Sequence, residues 1–432
     1  MRKVFLRALL ILGGVIFSLL LLEAGLRISG YAPTWSTDEF KDYYAKDEEA
    51  GHDIFKNLPK RKITVDAVLK YDLWSNELGC FDTPFQNEKN PILLVGDSYT
   101  HAVAPFEDKW GTVIEKELGI RVLKCGVSGY GPRQETIKAE RVIKDAKTKP
   151  RLIIVGYLPW NDIVDDIGSP NSTVINGYLS PATRPFDLET GAIERIPEQE
   201  LLEMAARWGN GPPPAGEGTP LAYRINYWLN SHSALIRTTK NLVKQIILSD
   251  FLGDKFGLNL MKRFGPVAST GVTNFYERLF YASKKDWFPQ ALESHLDNFR
   301  TFQNIAKAND AELLVVIIPT KEQIYPFLPR TGWDDAAAGE IQKNILAYFD
   351  ENKIAYLDLL PILKKEANET PREWVDSEKD FYWRFDSHWS GFGNIAVGLI
   401  VSEYLIQEKF VEVEGGKLEA VESKLKSIVG RD

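Results

Sequence analysis

Two kinds of apolar pattern alternate along this chain. The first is an unbroken run from Ala8 to Leu22, preceded by Arg2, Lys3 and Arg7. The second is a set of short apolar runs, each followed by a stretch of helical periodicity. Pro91–Val95, Arg121–Lys124, Leu152–Tyr157, Glu312–Ile318 and Ile354–Leu357 read as strands. Continuous apolar runs of this length fit strands buried on both faces of a parallel sheet. Helical patterns lie between them, from about Glu107 to Leu118, Gln134 to Ala146, 290 to 308 and 335 to 350, with a last one from about Gly393 to Gln407. Strand–helix–strand alternation at this spacing predicts right-handed parallel crossovers and an α/β layered fold.

The alternation breaks twice. Residues 31–90 are polar, aromatic and irregular. Residues 163–289 carry Pro- and Gly-rich loops, a hairpin expected near Asn176–Glu194, the Gly-Pro-Pro-Pro segment at 211–214 and a helix expected around 233–248. The predicted organisation is therefore a segment at 1–30, a packing region at 31–90, one split α/β domain at 91–409 with an insertion or cap at 163–289, and a charged tail at 410–432. The run from Ala8 to Leu22 is short of the roughly 20 residues that a membrane span needs. Counted from Val4 it lengthens, with Arg7 snorkelling to the headgroups. A cleaved signal peptide competes with this reading, but no small-residue pair stands around Glu23–Arg27. The expectation is an uncleaved single-pass signal anchor in the inner membrane, basic end inside and the remainder exported to the periplasm.

Composition narrows the function classes. Of 432 residues, 52 are Lys or Arg and 60 are Asp or Glu, for a net charge of −8. A mildly acidic chain is a poor nucleic-acid binder, because that affinity comes largely from neutralising phosphates. Two cysteines, Cys80 and Cys125, exclude a disulfide scaffold and a four-cysteine zinc site but leave one disulfide open. No metal-ligand spacing and no phosphate loop is seen, so no cofactor is expected.

Four short segments sit at strand ends or before the last helix, where ligands bind in open α/β sheets. Gly96-Asp97-Ser98-Tyr99 puts a serine hydroxyl on a strand-to-helix turn; taken alone, Ser98 reads first as a helix cap. Gly126–Pro132 is a glycine-containing turn that brings backbone N–H groups to a ligand, and lacks the third glycine of a dinucleotide fingerprint. Trp160-Asn161-Asp162 offers a side-chain amide to a developing oxyanion. Asp386-Ser387-His388-Trp389 sets a histidine beside a carboxylate, the general-base half of a triad. Nucleophile, base, orienting carboxylate and oxyanion donors are then all present in an order that one sheet can converge.

With these four blocks the chain resembles the SGNH hydrolase superfamily, the GDSL-type esterases. The segment Pro319–Gln323 resembles a subgroup near the bacterial exopolysaccharide O-acetylation proteins. The sequence departs from the family pattern at Pro159, where glycine is common, and in an Asp386–His388 spacing one residue shorter than usual. The resemblance implies a flavodoxin-like three-layer α/β/α sandwich. It implies Ser98, His388 and Asp386 as catalytic residues, and an oxyanion hole from Ser98, Gly129 and Asn161, with Asp97 structural. The implied activity is ester hydrolysis or O-acyl transfer on carbohydrate acetyl groups. Polysaccharide-biosynthesis proteins would be partners. Trp160, Trp389 and His101 are candidates for substrate contact, with Trp374 and Trp383 nearby. His52, His232 and His295 have no carboxylate or cysteine pattern around them. Two other functions stay open: a catalytically inactive polysaccharide-binding scaffold, and a lipid esterase whose cap would use Phe251, Leu252, Phe256, Leu258, Leu260 and Met261.

Overall fold

A computed structural model describes residues 2–28, 40–65, 69–207, 270–325, 333–369, 380–383 and 386–429, with isolated positions between 229 and 239. The chain forms two compact units. One comprises Met1–Lys41, Ile63–Lys70 and Glu198–Phe264; the other comprises Asp42–Lys62, Tyr71–Pro197 and Gly265–Asp432.

The first unit contains helix α1 (Arg2–Ile28) and, later in the chain, α6 (Glu198–Arg207). On α1 the described side chains run from Gly13 to Ile28 and are mostly exposed, Phe17 at 63% and Leu20 at 61% among them. Among the described residues no helix is long and apolar enough to cross a membrane. The expected transmembrane helix therefore has no support from the structure.

The second unit is built on the expected parallel sheet. Its strands are β5 (Ile92–Gly96), β6 (Val122–Lys124), β7 (Leu152–Tyr157), β10 (Glu312–Ile317) and β11 (Ala355–Asp358), in the spatial order β11-β10-β7-β5-β6. All four pairings are parallel. Counted within the sheet the order is 2-1-3-4-5, that of flavodoxin-like doubly wound sheets. Every residue of β5, β6 and β7 is buried, which explains their unbroken apolar character.

The chain reverses direction across β5, because β6 lies on one side of it and β7 on the other. Right-handed crossovers then put α3 (Trp110–Leu118) and α4 (Pro132–Ala146) on opposite faces. A helix at Phe288–Ala308 packs on α4, and one at Gly391–Gln407 packs on α3. Gly398 allows the second approach, since a Cβ there would strike Val113. The charged tail is ordered: Lys417–Val429 is a helix whose Val421 and Leu425 are buried beside Gly391–Gln407.

The irregular-looking region at 31–90 holds strands that the sequence pattern did not announce. β1 (Tyr44–Asp47) and β2 (Gly51–Ile54) pair antiparallel, and β3 (Arg61–Val65) pairs with β4 (Leu69–Leu73). The expected insertion divides. Its start forms α5 (Pro159–Ile167) and the hairpin β8 (Ser172–Ile175) and β9 (Tyr178–Pro181), whose Asn176-Gly177 turn has positive φ at both residues. That is the two-residue turn matched to strand twist. β8 packs against β1 and β2. Of the expected 233–248 helix, Leu235, Ile236, Thr238 and Thr239 are described and helical; the rest of it apart from Ser233, the Gly-Pro-Pro-Pro segment and the cap residues from Phe251 to Met261 lie outside the described residues.

Cys80 and Cys125 form a disulfide, closing a sequence separation of 45 and tying the segment before β5 to the end of β6. Cross-links over loops of this size contribute about 2–4 kcal/mol. Replacing both cysteines with alanine is expected to lower the urea midpoint and to raise the m-value, because the unfolded chain is no longer cross-linked and exposes more surface; an unaltered midpoint would show that the bond carries no stability.

Candidate active site

β5 ends at Gly96, and the chain turns directly into a short helix, α2 (Ser98–His101). Asp97 caps it by accepting from the Tyr99 N–H at 2.8 Å. The cap fixes the turn, which agrees with the structural role expected for Asp97. Burial raises the Asp97 carboxyl to a pKa of about 6. The turn also needs its neighbours to be small. A Cβ on Gly126, which follows β6, would collide with the backbone of Thr100 and His101.

Ser98 Oγ lies 2.7 Å from His388 Nε2. The other ring nitrogen of His388, Nδ1, meets Asp386 Oδ1. Asp386 Oδ1 also accepts the His388 backbone N–H at 2.7 Å. One carboxylate oxygen thus holds both the ring and the main chain of the same residue. The two-residue spacing permits this, because an aspartate readily bonds the backbone two positions on. Both side chains remain about one-fifth exposed, at 20% and 21%. Burial opposes the charge on Asp386. The adjacent His388, its two hydrogen bonds and the Lys321 ammonium outweigh that and bring the pKa down to about 2. At neutral pH the carboxylate is ionised, the state that orients and stabilises an imidazolium.

Lys321 is buried, and its Nζ donates to the carbonyls of Trp383 and Asp386. Tyr99 donates its hydroxyl to the Ser387 carbonyl, and its ring packs 5.1 Å from that of His388. Thr320 and Gln323 form a reciprocal cap at the start of the short helix Lys321–Ile324. Gln323 Oε1 also accepts from Trp160 Nε1 at 2.9 Å. Pro319–Gln323 therefore braces the histidine loop on one side and the asparagine helix on the other.

Ser98, Gly129 and Asn161 follow β5, β6 and β7, three adjacent strands. Gly129 has φ 79°, which favours glycine. Among the described residues, neither the Ser98 nor the Gly129 N–H donates to another protein group. The Asn161 amide donates one N–H to Asp165 Oδ2 at 2.7 Å, and among the described residues its second hydrogen has no partner. Pro159 occupies the first turn of α5, where its missing N–H costs nothing; the departure from glycine is accommodated. Behind these groups lie Asp162, Asp165 and Glu135. Burial first, then the charges of Asp97 and of neighbouring carboxylates, Asp166 among them, hold all three carboxyls well above their usual range.

The expected substrate-contact residues are corrected. Trp160 and Trp389 are each 1% exposed, and so is His101. Trp160 packs against Phe280 and Trp333, and Trp389 against Tyr99 and Trp110. His101 meets the Tyr43 hydroxyl at 3.0 Å and the Phe81 ring, and burial drives its pKa well down. Their apolar faces serve the core, because aromatic rings contribute large buried area wherever a sheet edge must be sealed. Trp383 hydrogen-bonds the Val103 carbonyl at 3.0 Å, and Trp374 lies outside the described residues. Tyr99, Lys321 and Gln323 support the site; each lay in a segment that stood out in the sequence, but without a role of its own.

The arrangement can draw a proton from a serine hydroxyl and hold the resulting imidazolium against an ionised carboxylate. Residues 276–430 match the family model described as SGNH hydrolase-like domain, acetyltransferase AlgX. No curated protein matches the sequence. Similar solved structures include an acylhydrolase, so described, from Bacteroides fragilis. It is 11% identical, with 76% of this chain and 89% of that chain covered, at a TM-score of 0.29. Another is a GDSL-like lipase from Bacteroides thetaiotaomicron, 12% identical, with 76% and 91% covered, at a TM-score of 0.28. Scores this low carry no argument about this chain. The family match bears on residues 276–430, which are similar to that SGNH hydrolase-like domain and include Asp386 and His388.

Proposed function

We propose that this protein is an SGNH-type serine enzyme that hydrolyses or transfers acyl groups, most naturally acetyl, on the hydroxyls of carbohydrate or exopolysaccharide. The observation that carries this reading is the continuous contact from Ser98 Oγ through His388 to Asp386. In the proposed reaction Ser98 attacks an ester carbonyl while His388 takes its proton. Asp386 stabilises the imidazolium. The N–H groups of Ser98 and Gly129 and the free amide hydrogen of Asn161 hold the oxyanion. His388 then returns the proton to the leaving alcohol, and water or a sugar hydroxyl releases the acyl group. The match to an acetyltransferase domain supports acetyl as the group moved.

An exported, membrane-anchored location belongs to the same proposal. It is supported by the disulfide, which persists in oxidising compartments. Protease added to intact spheroplasts is expected to digest the domain beyond residue 30; full protection would place it in the cytosol and overturn this part.

Two substitutions test the chemistry. Ser98→Ala is expected to abolish 4-nitrophenyl acetate turnover and fluorophosphonate labelling, and to change the acetyl content of surface glycans measured by mass spectrometry. A folded Ser98→Ala protein with full turnover would refute the assignment. Asn161→Ala is expected to reduce kcat about 100- to 1000-fold, the usual cost of one oxyanion donor. An unchanged kcat would remove Asn161 from the site.

A further inference from the structure

His52 has no place in the sequence motifs, yet it stands against the glycine loop. It sits on β2, paired across the hairpin with Lys46, and is fully buried. Its ring is held edge-on between Tyr44 at 5.3 Å and Tyr130 at 5.0 Å. The Tyr130 hydroxyl donates to the His52 carbonyl, and Gln134 donates to the Ala50 carbonyl at 2.8 Å. Lys138 pairs with Asp53 at 2.7 Å. The hairpin is thereby fastened to the start of α4, directly after the loop.

His52 Nε2 lies 2.9 Å from the Ser128 carbonyl oxygen. A carbonyl only accepts, so the ring must carry its hydrogen on Nε2. Nδ1 is buried and finds no partner among the described residues, as the lone-pair nitrogen of a neutral ring would. The Tyr44 hydroxyl bonds the Ser128 side chain. Ser128 is thus gripped at two points by one hairpin. The peptide that follows it is planar and trans, so the Ser128 C=O and the Gly129 N–H point in opposite directions. Fixing one aims the other. Gly129 has the positive φ that lets this peptide turn, and a Cβ there would come within 3.9 Å of His52 Cε1.

We infer that His52 is a positioning residue for the oxyanion hole: its Nε2–H clamps the Ser128–Gly129 peptide and so directs the Gly129 N–H at the reacting carbonyl. This rests on the proposed function. A donor of this kind acts on charge that develops only in the transition state, so loosening it should lower kcat and leave KM nearly unchanged.

His52→Phe keeps the aromatic filling and removes the donor, while His52→Gln keeps an N–H near the position of Nε2. With 4-nitrophenyl acetate, His52→Phe is expected to lose about 10- to 100-fold in kcat, the scale of a misaimed catalytic group. KM should stay within about 3-fold of the parent, since ground-state binding is untouched. His52→Gln should recover most of the loss, and the pH midpoint of kcat should not move, because the His388 relay is intact. Full kcat in His52→Phe, or an equal loss in both variants, would overturn the inference. Both are judged on folded protein that fluorophosphonate labels to completion. Ser98→Ala run alongside separates the two failures: if it stays active, the proposed function fails. If it is inactive while His52→Phe is unimpaired, only the role of His52 fails. Nitrogen-15 NMR of the unaltered protein gives a check independent of variant folding. It should show His52 protonated on Nε2; an Nδ1–H tautomer would contradict the clamp.

Discussion

A single 2.7 Å contact joins Ser98 to His388 across 290 positions of chain. Neither side chain can reach the other unless the end of β5 and the loop before the last core helix are held at one edge of the sheet. Hydrogen bonds of this kind tolerate little displacement, so the supports around them are polar and buried. Lys321 fastens the carbonyls of Trp383 and Asp386, Tyr99 fastens that of Ser387, and Tyr382 donates to Pro319. Buried polar groups of this sort are costly unless partnered. Partnered, they fix a loop in one conformation far better than apolar packing would, because their geometry is directional.

Charge is distributed around the same contact in two ways. Asp386 is kept ionised by His388 and Lys321 despite partial burial. The carboxyls of Asp162, Asp165 and Glu135 lie in a place that water does not reach, and burial holds them toward the neutral form. The contrast follows from partners: a carboxylate beside an imidazolium and an ammonium is favoured as an anion, whereas several carboxyls buried together cannot all ionise. Asp165, so situated, still orients the amide of Asn161 by accepting one of its hydrogens.

The strands, their parallel character and four blocks of chemistry were legible in the sequence, because strands buried on both faces must be apolar throughout and because glycine, serine, asparagine and histidine stand at their ends. The strand at Leu152–Tyr157 and the helix ending at Gln407 match the expected bounds. The region at 31–90 was not legible. β1 and β2 are four residues each, with the mixed composition Tyr-Ala-Lys-Asp and Gly-His-Asp-Ile, too short for a periodicity to appear. Their stability comes from contacts with β8 and α4, which no local pattern encodes. The tryptophans misled for a related reason. Aromatic residues beside a motif look alike whether they face a ligand or the core, and Trp160 and Trp389 face the core.

By itself the sequence determined which side chains are available for chemistry and which strand end or helix start each one stands at, since strand burial and turn chemistry are local properties of the chain. The tertiary structure alone decided which of them meet. It joined Ser98 to His388, bonded Cys80 to Cys125, buried His101, and brought His52 from an unremarked hairpin onto the glycine loop. Those outcomes depend on contacts between segments distant in sequence, and such contacts are set by how the layers pack.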